Sequence, residues 1–142
     1  MSRKAVDLPE TEVTIQVPFH DVDLMEIAWH GHYVKYFEIA RDALLEGIGY
    51  NHREMRDSGF AWPVIELKMR YAKPASLGQR IKVRARIVEY ELRLKISYLV
   101  TDLATGTRLT RGHTVQVAVD MSNQELVLGS PPILFEKLGV TE

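Results

Sequence analysis

The 142-residue chain contains no cysteine. Disulfide staples, thiolate nucleophiles, thiolate zinc sites and iron–sulfur ligation are therefore excluded. No stretch approaches the roughly 18 consecutive apolar residues that a membrane-spanning helix needs. The first residues, MSRKAVDLPETEV, lack the apolar run of a secretory leader. There is no excess of one charge either. Lys and Arg number 18 against 19 Asp and Glu, a net charge of −1, whereas a generic nucleic-acid binder is usually more basic. Low-complexity segments and solenoid repeats are also missing. What remains is the expectation of a soluble cytoplasmic domain with neither a nucleic-acid partner nor a membrane span. Hydrophobic residues make up 46% of the chain. A chain of this length buries roughly 68–70% of its unfolded surface, enough for one core without staples. Residues 1–142 thus read as a single domain with a short tail over 1–11.

Over residues 12–19, Val13, Ile15 and Val17 alternate with Thr14 and Gln16, as in a half-buried strand. Pro18 ends regular pairing. Residues 32–47 carry the one long helical pattern. Tyr33, Phe37, Ala40, Leu44 and Ile48 recur on one face, with Lys35, Asp42 and Glu46 opposite. Arg41 falls beside the apolar stripe, about 50° from its centre, which favours partial burial. It would either pair with a carboxylate or lay its stem over the sheet edge. A short helix over 51–57 follows. Strands are expected over 61–71, 80–89, 94–101 and 109–119, joined by turns. A short C-terminal helix over 133–138, within the segment 130–142, has Pro at its first turn. One strand, a long helix and a four-stranded meander make an α+β fold, with the helix packed on a five-stranded antiparallel sheet. One helix covers one face, so the other face or an edge strand is left as an oligomer surface.

Residues 17–33, VPFHDVDLMEIAWHGHY, join the first strand to the helix. Three acids and three histidines fall within residues 20–32. Three readings are open. In the first, Asp23 is a catalytic carboxylate, and the helix beginning near His30 offers unpaired N–H groups and the positive end of its dipole to an oxyanion. In the second, His20, Asp21, Asp23, His30 and His32 hold a divalent metal, although their spacing matches no standard motif. In the third, the aspartates cap turns and the histidines pack or face water.

The segment VPFHDVDLMEIAWHGHYVKYFEIAR resembles the 4-hydroxybenzoyl-CoA thioesterase family of hotdog-fold enzymes, which includes the Tol-Pal-cluster acyl-CoA thioesterases. Their pattern runs approximately Y-x-D-T/C-D-x-x-G-I/V-V-Y/W-H/Y-x-x-Y, followed by an aromatic-rich helix with a late Arg. Asp21 and Asp23 match the D-x-D pair. Ile27, Ala28, Trp29 and His30 match the next run, and Tyr33 the tyrosine. Glu38 and Arg41 match the acid and Arg of the helix. Tyr71-Ala72-Lys73-Pro74-Ala75 looks like the family's Y-x-x-P-A turn. The sequence departs from the pattern at Val22, and at Met25-Glu26, which replace a small residue and a Gly.

The resemblance implies a hotdog domain that hydrolyses an acyl-CoA or acyl-carrier-protein thioester. Asp23 would act as nucleophile or general base, and the His30 N–H would polarise the carbonyl. Asp21 would orient the loop, Trp29 and Tyr33 would line the acyl pocket, and Arg41 would support the site. Candidates for the CoA phosphates are Lys73, Arg93, Lys95 and Arg111. No metal and no cofactor is called for. A homodimer or dimer of dimers is implied, because the family's sites form between protomers. Two rivals remain: a hotdog hydratase or dehydratase using His32, and a non-catalytic acyl-ligand binding protein. A related subfamily uses a helix Glu after H-G-G. Here His30-Gly31-His32 lacks the second Gly.

Overall fold

The computed structural model describes residues 8–140. In chain order the elements are β1 (Glu10–Gln16), α1 (Tyr33–Gly47), α2 (His52–Ser58), β2 (Phe60–Ala61), β3 (Val64–Tyr71), β4 (Arg80–Glu89), β5 (Leu94–Asp102), β6 (Arg108–Gln116), β7 (Val119–Asp120), β8 (Glu125–Leu126) and α3 (Pro132–Leu138). β1, β4, β5, β6 and β3 lie in that order in one antiparallel sheet, and β2, β7 and β8 form a second, small one. The expected α+β architecture, a long helix on a five-stranded antiparallel sheet, is what forms.

Strand alternation places the core. Ile81, Val83, Ala85 and Ile87 of β4 and Leu94, Ile96, Tyr98 and Val100 of β5 are buried. Tyr33, Phe37, Ala40 and Leu44 of α1 are buried with them, as the 3.6-residue period requires. Each large apolar side chain so buried contributes about 1.5–3 kcal/mol. The Phe37 ring stacks on Tyr98 at 4.3 Å between centroids. The register pairs Tyr98 with Gly112, and a β-carbon on Gly112 would lie 2.9 Å from the Phe37 ring and 2.2 Å from the Lys68 carbonyl oxygen. Gly112 is therefore the gap in β6 over which the helix settles.

Three expectations shift. β1 starts at Glu10, where Glu10 and Thr11 already pair with Arg86 and Ala85, so the tail is shorter than 1–11. Residues 1–7 of it lie outside the described residues. β1 also ends at Gln16, because the Val17 N–H turns to Gln79 and Pro18 has none to give. The strands expected over 61–71 and 109–119 are both interrupted. Pro63 cannot donate to the ladder. The neighbouring Trp62 is buried, its indole N–H donating to the Tyr50 hydroxyl and its carbonyl accepting from the Gln116 amide. Beyond this break the pairing resumes as β2 with β7. Among the described residues no helix is long and apolar enough to cross a membrane.

Gly112→Ala is expected to lower stability by about 1–3 kcal/mol, because overpacked cores strain. Gly47→Ala has no atom within 4 Å of the new carbon and is expected to raise stability by up to about 1 kcal/mol. Thermal and urea melts of the two variants against wild type check both signs.

Candidate active site

Asp21 is 0% exposed. It sits on the single 3-10 turn Phe19–Asp21 after β1. Lys35 Nζ donates to its Oδ1, and the Tyr36 hydroxyl donates to its Oδ2 at 2.8 Å. His20 Nε2 and His32 Nδ1 lie 3.5 and 3.8 Å from Oδ1, and the Asp21 carbonyl accepts the Trp29 N–H. Burial pushes the Asp21 carboxyl up. The bonds from Lys35 and Tyr36, with the charges of Lys35 and His32, outweigh burial and hold the carboxyl below its ordinary range. Burial, then the bond to Asp21, drives the Tyr36 hydroxyl well above its usual range. Asp21 is thus a buried anion tying the loop to the first turn of α1. Lys35, expected on the outward face of the helix, reaches into this network instead.

Two residues on, the environment reverses. Asp23 is exposed, and its Oδ1 accepts the Met25 N–H at 2.8 Å. Its backbone N–H bonds the Ile27 carbonyl, its carbonyl accepts from Glu26, and Val22 bridges Ala28, so residues 22–28 form a small hairpin. Glu26 takes a left-handed φ of 58° at its turn, the position where the resembling family carries Gly. The hairpin is stitched to the β3–β4 turn. Ala28 N–H donates to Ala75, Leu77 N–H donates to Glu26, and the buried Tyr33 hydroxyl accepts the Ala75 N–H at 3.1 Å.

His30 opens the 3-10 turn His30–His32 that leads into α1. By position the His30 and Gly31 N–H groups head a helical run and have no carbonyl within it to bond. The His30 carbonyl accepts the Tyr71 hydroxyl at 3.0 Å. Trp29 is half exposed and packs against the His30 and His32 rings. Its indole lies over Gly31 so closely that a β-carbon there would fall 2.0 Å away. The loop therefore carries Asp23 on its hairpin, and an indole packed on the start of the helical run at His30. Phe19, Leu24 and Met25 are exposed beside them, from 77% upward.

Other residues singled out by sequence fall elsewhere. The Arg41 ion pair with a loop carboxylate does not form among the described residues. Arg41 lies eight residues beyond Tyr33, about 12 Å along the helix at 1.5 Å per residue. It sits beside the Tyr98 hydroxyl, which burial drives up and the Thr114 bond and Arg41 charge draw back. Arg41 also lines a cavity of about 1040 Å³, with Leu45, Met55, Phe60, Trp62 and Val64. That cavity is at the far end of α1 from Asp23. The four candidate phosphate ligands do not converge. Lys95 and Arg111 line one shallow cleft on the sheet. Arg93 is paired with Glu89 at 3.1 Å, and Lys73 lines a cleft on the β3–β4 turn. Glu66 is paired with His113 at 2.6 Å, which holds its carboxyl low. No group of three or more His, Asp or Glu side chains able to hold a metal ion occurs among the described residues. Sequence reading missed Tyr36, Tyr71 and the Ala75 backbone as partners of the loop. Tyr36 lies off the apolar stripe, and the other two are distant in the chain.

A family model described as the thioesterase-like superfamily matches residues 17–134. The chain belongs to that superfamily. A protein of Synechocystis named only as a candidate esterase, sll0410, is 29% identical over 128 residues, 89% of this chain and 77% of that one. An acyl-acyl carrier protein thioesterase of Arabidopsis thaliana, ATL3, is 33% identical over 76 residues, 54% of this chain and 40% of its own length. The 1,4-dihydroxy-2-naphthoyl-CoA thioesterase Slr0204 of Synechocystis superposes with a TM-score of 0.81 at 17% identity, over 92% of this chain and 96% of that one. The fold of this thioesterase-superfamily chain is thus the hotdog arrangement.

Asp21→Asn keeps the shape but removes the charge facing Lys35, which is itself 42% exposed. A loss of about 1–3 kcal/mol is expected, the lower end reflecting solvent screening of Lys35. Because the folded carboxyl titrates below the unfolded value of about 3.9, its contribution is complete above that pH. It is lost as pH falls through the folded value. Urea melts of wild type from pH 6 to pH 3 should show that decline, and the variant should show a smaller one.

Proposed function

We propose that the chain hydrolyses an acyl thioester at the loop between β1 and α1, with Asp23 as nucleophile or general base. The observation that carries this is the division of labour between two aspartates two residues apart: Asp21 buried and fully bonded, Asp23 exposed on a hairpin held from both sides. The N–H groups opening the helix at His30 supply donors for a developing oxyanion. In the net reaction water adds its hydroxyl to the acyl carbon, the carbon–sulfur bond breaks, and the thiol leaves with a proton. Asp23 either attacks the carbonyl, giving an anhydride that water opens, or takes the proton from that water. The names of the relatives fit a CoA or carrier-protein thioester. Lys73, on the turn stitched to the loop, fits a phosphate of the thioester arm.

The same reading makes the enzyme a dimer. β3 is an edge strand with both faces largely exposed, Ile65 at 59% and Leu67 at 42%. Such an edge is a template for a second copy. A two-fold axis through the middle of β3 sets Val64 against Tyr71 of the second copy. Tyr71 is bonded to the His30 carbonyl and Val64 lines the large cavity, so the loop of one copy then faces the cavity of the other. The acyl group fits that cavity, with Trp29 and Arg41 at its two ends. The apolar collar of Phe19, Leu24 and Met25 is covered in the same step.

Thiol release from a panel of acyl-CoAs is the direct test, and the protein adds no thiol background because it has no cysteine. Asp23→Asn is expected to lower kcat/KM by about 10²–10⁴-fold with an unchanged melting temperature. Retained hydrolysis would sink the role of Asp23, and acyl-CoA binding without turnover in wild type would favour a binding protein. Leu67→Asp is expected to give a folded monomer by light scattering with little activity. A variant that stays dimeric and active would remove β3 as the interface.

A further inference from the structure

The sheet face opposite α1 is basic although the chain as a whole is not. Outward positions of β3, β4, β5 and β6 carry Lys68, Arg70, Arg86, Lys95, Arg108 and Arg111, and none of these six has an ion pair among the described residues. The pairs that do form lie at the β1 border, Arg84 with Glu10 and Lys82 with Glu12, and between β3 and β6, where Glu66 holds His113. Two shallow clefts, about 200 and 360 Å³, share Ser97 and Arg111 and join the cations into one surface. With strands about 4.8 Å apart and about 3.3 Å per residue, the patch measures roughly 14 by 20 Å. With a net charge of −1, this is charge moved to one face.

Three occupants can be weighed. A second copy laid face to face would set six unpaired cations against six. Nucleic acid is disfavoured, because the outward positions of β3–β6 carry no Phe, Tyr or Trp and the one imidazole, His113, is held by Glu66, so bases find no stacking platform. The clefts are shallow and the cations spread over four strands, more surface than one nucleotide's phosphates neutralise. A broad flat cationic face is the complement of an acidic protein surface.

We propose that this face docks an acidic acyl carrier protein, so that the thioester arrives on a protein. The proposal rests on the hydrolysis reading and names its partner. The patch reaches the site past the Tyr71 end of β3, beyond the edge that the second copy covers. Arg70 precedes Tyr71, whose hydroxyl holds the His30 carbonyl, so a carrier seated on β3–β6 places its flexible arm at the end of β3 nearest the loop.

The test uses the double variant Arg86→Glu, Arg108→Glu, two residues outside the proposed catalytic and phosphate-holding groups, with a circular-dichroism check of fold. Binding is read by fluorescence anisotropy with a labelled carrier protein bearing a non-hydrolysable hexanoyl-pantetheine amide, and turnover with hexanoyl carrier protein and hexanoyl-pantetheine. The expected result is at least tenfold weaker carrier binding and higher KM in the variant, wild-type binding that weakens steeply with salt, and unchanged hydrolysis of hexanoyl-pantetheine. Equal carrier binding by wild type and variant would overturn the proposal. So would salt-sensitive binding of a labelled oligoribonucleotide with none of the carrier, or an equal loss on hexanoyl-CoA with carrier binding intact. Carrier binding without hydrolysis of any substrate would keep the docking surface and sink the hydrolysis reading, so the two failures are distinguishable.

Discussion

A carboxylate with no exposed surface ties the connection between β1 and α1 to the helix it leads into. Asp21 receives Lys35 on one oxygen and Tyr36 on the other, and its backbone carbonyl receives the Trp29 N–H. Both side-chain donors come from the first turn of α1, so the loop can close only once that turn has formed. In return, the anion sits against a helix start whose dipole favours negative charge. Burying a charge without partners would cost several kcal/mol. With both oxygens bonded, that cost is offset, and it becomes a penalty on any other arrangement of the loop. The position of everything from residue 19 to residue 33 follows from this contact.

The second constraint comes from across the sheet. The hairpin 22–28 borrows backbone bonds from the β3–β4 turn through Ala28–Ala75 and Leu77–Glu26, and Tyr33 reaches Ala75 from the helix. Asp23 stands on a tip clamped from two directions yet open to solvent. Among the described residues its side chain is spent only on the Met25 N–H. The strain of a left-handed Glu26, about 1 kcal/mol or somewhat more, persists because these bonds determine the turn. Rigidity in the support and exposure at the tip are the combination that a reacting carboxylate requires.

Much of this was legible from residue order. The alternation of Ile81, Val83, Ala85 and Ile87 and the stripe Tyr33, Phe37, Ala40 and Leu44 each report a buried face, and both formed as expected. The D-x-D loop was marked by its density of ionisable groups. The partners were not legible, because Lys35 and Tyr36 differ from an ordinary helix surface only by where the loop ends up. Arg41 shows the converse error. Its angle on the helical wheel correctly signalled partial burial, but a wheel has no axial coordinate, and about 12 Å of rise separates Arg41 from the start of the helix at Tyr33. The break at Trp62-Pro63 was written in the proline, yet the buried Trp62 made the stretch look like continuous strand.

The remaining feature is incompleteness. A single copy exposes Phe19, Leu24, Met25, Ile65 and Leu67 on one loop and one strand edge, while the cavity of about 1040 Å³ lies at the other end of the helix. Scattered exposed apolar residues need no explanation, but Leu24 and Met25 follow the proposed reacting group directly in the chain, and Ile65 and Leu67 lie on an unpaired edge. In the proposed dimer one operation, a two-fold axis across β3, covers the edge, the collar and the cavity mouth together. Coverings devised separately would need three partners. The open basic face is untouched by that operation, because it lies on the opposite side of the sheet from α1, the loop and the cavity. In the proposed dimer the surface is divided: apolar where the second copy of the chain is met, and cationic where that copy would be repelled.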